Sequence, residues 1–131
     1  MILLDTHVLV WWLSQPSKLS GPARRAIEVQ ARRGPVLASA ISVFELATLV
    51  RRGRLKLTVS FSDWLSSARA LPELAFEPVT DEIAEVAGNF GDVIHGDPAD
   101  RLIAATAVVL RARLVTADEA LAALPGIEAV W

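Results

Sequence analysis

The chain has 131 residues, enough to bury a core and the size of one ordinary domain, and it contains no cysteine. Disulfide frameworks, thiolate metal sites and cysteine nucleophiles are thereby excluded, and any metal must be held by oxygen or imidazole. The 53% hydrophobic and 21% charged residues argue against disorder, and 13 basic against 15 acidic side chains leave a net charge of −2, without the basic excess of a protein that binds nucleic acid by bulk electrostatics.

Met1-Ile2-Leu3-Leu4-Asp5 has no basic leader region, so no secretory signal is expected, and no run of about twenty apolar residues predicts a membrane span. The expectation is a cytoplasmic protein, one domain over residues 1–131, that does not enter a membrane. Residues 2–4 read as a short buried strand stopped by Asp5, and residues 6–13 as helix or turn. After Pro16, Gly21 and Pro22, residues 23–33 form an amphipathic helix with Ala26, Ile27 and Ala31 on its apolar side. Gly34-Pro35 ends it and a second strand covers 36–38. Residues 39–50 predict a helix that is apolar nearly all round, with Glu45 as its one acid. A basic connection holding Arg51, Arg52, Arg54 and Lys56 leads to a helix over 61–71, a strand over 75–79 and a helix over 81–90. A loop over 91–96 precedes Asp97-Pro98, which reads as an N-cap with proline at the first helical position, and a buried helix over 99–111. A strand over 113–116, a short helix over 117–124 and a last strand over 127–130 complete the chain.

Strands alternating with helices predict a parallel sheet covered on both faces, whose ligands bind at the carboxyl ends of the strands. Four acids fall where strands hand over to helices: Asp5, Glu45, Asp100 and Asp118. If the strands are parallel, these carboxylates meet in one crevice, where each close pair repels by about 1 kcal/mol even in water. With only His7 and His95 offering imidazole, the donors that remain are oxygens, which suit a hard cation such as Mg2+ or Mn2+. Each acid also has a purely structural reading. Ser42-x-x-Glu45 and Thr116-x-x-Glu119 have the spacing of capping boxes, Asp100 would sit at the third helical position, and Asp97 is read as a cap alone. Asp5 is the hardest to explain structurally, because it ends a strand and has no helix to cap unless Thr6 begins one. Ser39, Ser42 and Glu45 recur every three residues, toward one side of their helix. His7 and His95 read as local hydrogen-bonding residues, and Trp11, Trp12, Trp64 and Trp131 as core or interface anchors.

Leu3-Leu4-Asp5-Thr6-His7, Ser39-x-x-Ser42-x-x-Glu45-Leu46, Asp97-Pro98-Ala99-Asp100-Arg101 and Val115-Thr116-Ala117-Asp118 occur in that order along the chain. In this the sequence resembles the PIN-domain ribonucleases, most of all the VapC toxins of type II toxin-antitoxin pairs. The resemblance implies an α/β fold, a PIN-like α/β/α sandwich with a central parallel sheet. It implies Asp5, Glu45 and Asp100 as metal-binding and catalytic carboxylates, Asp118 as a fourth, and Thr6, Ser42, Thr116 and Arg101 in supporting roles. The activity implied is Mg2+-dependent hydrolysis of RNA, with one or two ions and Mn2+ as a substitute, leaving 5′-phosphate and 3′-hydroxyl ends and stopping translation. The partners implied are an RNA substrate, a cognate antitoxin protein and a second copy in a homodimer. Ala99 and Phe44 stand where relatives often carry Phe and Trp, and neither position is a ligand. A non-catalytic PIN fold that binds RNA or protein is the alternative, marked by loss of a core acid. A phosphoacceptor receiver domain ranks below both, since the chain's lysines, Lys18 and Lys56, lie far from its last strands.

Overall fold

The computed structural model describes residues 1–93 and 97–131. Its strands are β1 (Ile2–Leu4), β2 (Val36–Ser39), β3 (Leu74–Glu77), β4 (Arg113–Val115) and β5 (Ala129–Val130). Between them run α1 (Thr6–Ser14), α2 (Gly21–Arg33), α3 (Ala40–Arg51), α4 (Phe61–Arg69), α5 (Asp81–Gly88), α6 (Pro98–Leu110) and α7 (Glu119–Ala122). Among the described residues the strands form one five-stranded sheet, all parallel, in the order β3-β2-β1-β4-β5.

The central strand β1 is buried on both faces, which is why it reads as an unbroken apolar run rather than an alternating one. Successive side chains still point to opposite sides. Ile2 and Leu4, with Val36, Ala38 and Val115 of the neighbouring strands, meet Leu9 of α1, Ile27 of α2, Leu46 of α3 and Trp64 of α4. Leu3, with Leu37 and Leu114, meets Ile103, Ala104 and Ala107 of α6 and Leu121 of α7 on the other face. The small residues of α6 let it lie close to the sheet, and α5 packs against it through Ile83, Ala87 and Ala105. This is the expected layered sandwich. Trp64 is buried and its indole N–H donates to the Ser14 hydroxyl at 3.0 Å, tying α4 to the end of α1.

Several boundaries differ from the sequence reading. The helix expected from residue 23 begins at Gly21, because the Ser20 hydroxyl accepts from the Ala23 N–H and Pro22 fits the first turn. The third strand covers 74–77 rather than 75–79: its register is fixed by pairing Val36 with Leu74 through Ser39 with Glu77, and Pro78 has no N–H for the ladder. Helices expected to reach residues 71 and 90 close at Arg69 and Gly88. The apolar α3 is not covered all round. Ser42 and Leu46 are its buried residues, while Phe44 is 69% exposed. Among the described residues no helix is long and apolar enough to cross a membrane.

Leu4 is fully buried at the centre of the sheet. Leu4→Ala removes about three buried carbons and leaves a cavity between β1 and α1, so it is expected to cost about 3 kcal/mol. The urea midpoint measures this, and an unchanged midpoint contradicts the packing described.

Candidate active site

The sheet order determines where a crevice opens. The chain runs outward from β1 through β2 to β3 and then returns to place β4 on the other side of β1. The segments leaving β1 and β4 therefore diverge, and a gap forms at their carboxyl ends. Asp5 follows β1 directly, and its N–H donates to the Val115 carbonyl of β4 at 3.0 Å. Its carboxylate is only 7% exposed and is held at both oxygens. Oδ1 accepts from the Thr6 N–H at 2.7 Å, and Oδ2 accepts from the Thr116 hydroxyl at 2.8 Å. The Thr116 oxygen itself accepts from the Asp118 N–H at 3.0 Å, which leaves the hydroxyl proton for Asp5. Thr6 does begin a helix, the condition under which Asp5 has one to cap, and Asp5 is its N-cap.

The second strand runs straight into α3, whose N-cap is Ser39. Ser42 thus lies inside the helix and is not a cap, which overturns the capping-box reading of Ser42 and Glu45. Its buried hydroxyl instead meets the Thr6 hydroxyl at 2.8 Å, linking α3 to α1. One turn further on, Glu45 is half-buried. Asp118 is not within the first turn of α7 but is its N-cap, accepting from the N–H groups of Ala120 and Leu121, so Thr116 and Glu119 form no capping box.

At the start of α6, Asp97 caps the helix by accepting from the Ala99 N–H at 2.9 Å, as expected, and Pro98 and Asp100 follow. Cap is not its whole description. Glu45, Asp97 and Asp100 each bring a carboxylate oxygen to within 4.8 Å of the others. Sequence reasoning gave Asp97 no place in this group. The available signal was its spacing, since residues three apart at a helix start share a side.

Asp5, Glu45, Asp97, Asp100 and Asp118 line one cleft of about 340 Å3 together with His7, Trp11 and Ala117, and no Lys or Arg is among these residues. The crowding is visible in the acidities. Burial, then the charges of Asp97, Asp5, Glu45 and Asp118, push the Asp100 carboxyl up to about 7. Burial also raises Glu45, against a hydrogen bond from Thr6, and the charges of Asp97 and Asp5 raise it further. Burial raises Asp5 against the bonds from Thr116 and Thr6. Such a cleft has donors suited to a hard cation and repels anions without one.

Arg101, expected in a supporting role, donates from Nε to the Ala87 carbonyl at 3.1 Å and from a terminal nitrogen to the Gly91 carbonyl at 2.8 Å. These bonds tie α6 to the end of α5. His95, part of the expected 91–96 loop, lies outside the described residues. Arg51, Arg52, Arg54 and Lys56 are all exposed.

Comparison with known proteins agrees with this architecture. The sequence profile of the family described as PIN domain matches residues 2–127. The chain is 38% identical to Ribonuclease VapC22 of Mycobacterium tuberculosis over 120 residues, 92% of this chain and 88% of that protein. Among solved structures, VapBC2 from Rickettsia felis bound to a DNA fragment from its promoter superposes with a TM-score of 0.74 at 19% identity, over 98% of this chain and 97% of that one. FitAcB from Neisseria gonorrhoeae superposes with a TM-score of 0.65 at 24% identity, over 98% and 96%. At those identities the two structures show a shared fold.

The raised pKa of Asp100 sets a pH dependence for the ion-free chain. Its carboxyl keeps a proton up to about pH 7 when folded and loses it near the ordinary 3.8 when unfolded. Between those values the folded state binds more protons, so stability from this group is expected to fall as pH rises from about 4 to 7. Urea midpoints across that range in EDTA, for the wild type and Asp100→Asn, test it. The slope should flatten in the variant, and equal slopes contradict the assignment.

Proposed function

The chain belongs to the PIN domain family, and from that premise we propose that it is a metal-dependent endoribonuclease, the toxin of a type II toxin-antitoxin pair. The observation that carries the reading is the single cleft in which five carboxylates converge, three of them with raised pKa values. A non-catalytic binding module has no use for so costly an arrangement. The name of the relative at 38% identity, Ribonuclease VapC22, supports the activity. Toxin-antitoxin complexes among the solved neighbours, one from Klebsiella pneumoniae included, support an antitoxin partner. A homodimer is part of the same proposal.

The donor set fits a divalent cation, Mg2+ with Mn2+ as substitute: it is all carboxylate, and Glu45, Asp97 and Asp100 already hold oxygens within 4.8 Å. In this proposal Asp5, Glu45 and Asp100 hold the ion, with Asp118 as the fourth acid and Asp97 added by the geometry. When bound, the ion supplies an acidified water and stabilises charge on the phosphate oxygens. The residues do the rest. Thr6 and Thr116 fix both oxygens of Asp5, so the direction of its free lone pairs is set before anything binds. Ser42 fixes the Thr6 hydroxyl, which also bonds to Glu45. The proton that Asp100 keeps up to about pH 7 must leave on ion binding, so affinity is expected to rise with pH through neutrality. Neutralised acids in turn let an anionic RNA phosphate approach.

The purified chain, freed of any partner protein, is expected to cut a mixed RNA pool in Mg2+ and not in EDTA. Asp5→Asn and Asp100→Asn should each lower the rate by about a hundredfold or more. Their melting temperatures should not fall, because Asn still caps α1 and loss of a charge relieves repulsion. Cutting that persists in EDTA or in both variants refutes the assignment. A large fall in melting temperature in both would show that the acids serve the fold.

A further inference from the structure

A groove of about 400 Å3 lies between α2 and the amino ends of β1 and β4, and it shares no lining residue with the acidic cleft. Arg25, Arg33 and Arg113 line it, with no acid among the lining residues. Their places follow from the topology. α2 ends at Arg33 and passes through Gly34 and Pro35 into the start of β2, so Arg33 stands at the amino ends of the strands, where Arg113 is the first residue of β4. Arg25 comes eight residues earlier on α2, about 12 Å along the helix axis. Between these ends the lining is apolar: Ile2, Ala26 and Val29, the last 47% exposed. Among the described residues the side chains of Arg25 and Arg33 have no ion pair or hydrogen bond, whereas the neighbouring Arg24 donates to the Pro16 carbonyl at 2.8 Å. Arg113 pairs at 3.5 Å with Glu128, whose side chain is 78% exposed, so water already weakens that contact. Gln30, also lining the groove, donates its amide N–H to the Pro35 carbonyl at 3.5 Å, which leaves its side-chain oxygen to accept.

We propose that this groove binds a nucleoside diphosphate, with its phosphates between Arg33 and Arg113 and its base over Ala26 and Val29, toward Arg25. A guanidinium fork takes phosphate oxygens two at a time, and two arginines from separate elements suit two linked phosphates. The apolar strip accepts the face of a base, and the guanidinium at its far end stacks on the ring or bonds its edge. Gln30 offers an acceptor to a ribose hydroxyl or a base amino group. A volume of about 400 Å3 lies within the ~300 to 1,000 Å3 of small-molecule pockets. The inference does not rest on the ribonuclease reading, because the acidic cleft lies at the other ends of the same strands, with β1 between the groove and Asp5. An acidic peptide would also satisfy the arginines, but it has no flat group to lie on the apolar strip.

The test is equilibrium dialysis of the full chain against ADP, GDP, CDP and UDP in turn, in EDTA so that no cation carries phosphate into the acidic cleft. At least one nucleotide is expected to bind about tenfold or more tightly than pyrophosphate or its own nucleoside. Arg33→Gln with Arg113→Gln should weaken that nucleotide about tenfold or more. Arg51→Gln with Arg69→Gln, the same charge loss at exposed positions on α3 and α4, should leave it within about twofold. Arg25→Ala should cost the nucleotide about fivefold and leave pyrophosphate within about twofold, because Arg25 lies farther from the phosphates than a Debye length. All five arginines are exposed, so each variant should keep the wild-type melting temperature. Equal weakening by the groove pair and the control pair overturns the inference, as does a failure of all four nucleotides to bind. Pyrophosphate held as tightly as the nucleotide makes this a site for bare polyphosphate, and tighter binding of a hexaglutamate peptide makes it a protein groove; both overturn it. A groove pair that cuts RNA in Mg2+ more slowly than the control pair, with no nucleotide present, places the groove on the path of RNA and overturns it too.

Discussion

The placement of like charges governs this molecule. Two unit charges about 4 Å apart interact by about 4 kcal/mol at the effective dielectric typical of a protein surface, so a cleft with five carboxylates works against its own folding. The chain offsets this in two ways. Part of the charge is removed by protonation, as the acidity of Asp100 shows. Part is fixed by donors: Thr6 and Thr116 hold Asp5, and the N–H groups at the starts of α6 and α7 hold Asp97 and Asp118. Stability given up at one site is a common cost of function, and the remaining core must supply it.

That core also does the positioning. β1 and β4 are neighbours although more than a hundred residues separate them, and the Thr116 hydroxyl reaches Asp5 because of that pairing. The small side chains of α6 set how closely its first turn approaches the sheet, and so where Asp97 and Asp100 stand relative to Glu45. A helix packed by one face leaves Phe44 outside, beside the same acids, so α3 presents Glu45 and an apolar surface together.

Charge is segregated rather than balanced. Overall the chain is nearly neutral for its size, and average composition gives no sign of an anionic partner. Locally, His7 and Trp11 stand between a cleft lined by acids and a pocket lined by Lys18, Arg54 and Lys56. A net charge sums over the chain, whereas a phosphate responds to the groups within about one Debye length.

Much was legible in order along the chain. The apolar runs at 2–4 and 36–38, the caps at Asp97 and the alternation of strands with helices gave a parallel α/β sandwich, because hydrophobic periodicity and turn chemistry are local properties. The acids at strand ends were legible for the same reason, since a parallel sheet has only one end where ligands bind. What lay hidden depended on distance through space. Ser42 and Glu45 have the spacing of a capping box, and only the point where β2 hands over to α3 decided that Ser39 caps and Ser42 faces Thr6. Asp97 looked complete as a cap until the approach of α3 to α6 placed it beside Glu45. The placing of acidic cleft and basic pocket on either side of His7 and Trp11 brings together α1, α3 and a connection, which no local pattern encodes. The sequence by itself determined which residues carry charge and which elements they begin or end. Tertiary structure alone decided which charges meet, because Coulomb interaction and hydrogen bonding depend on separation in space and not along the chain.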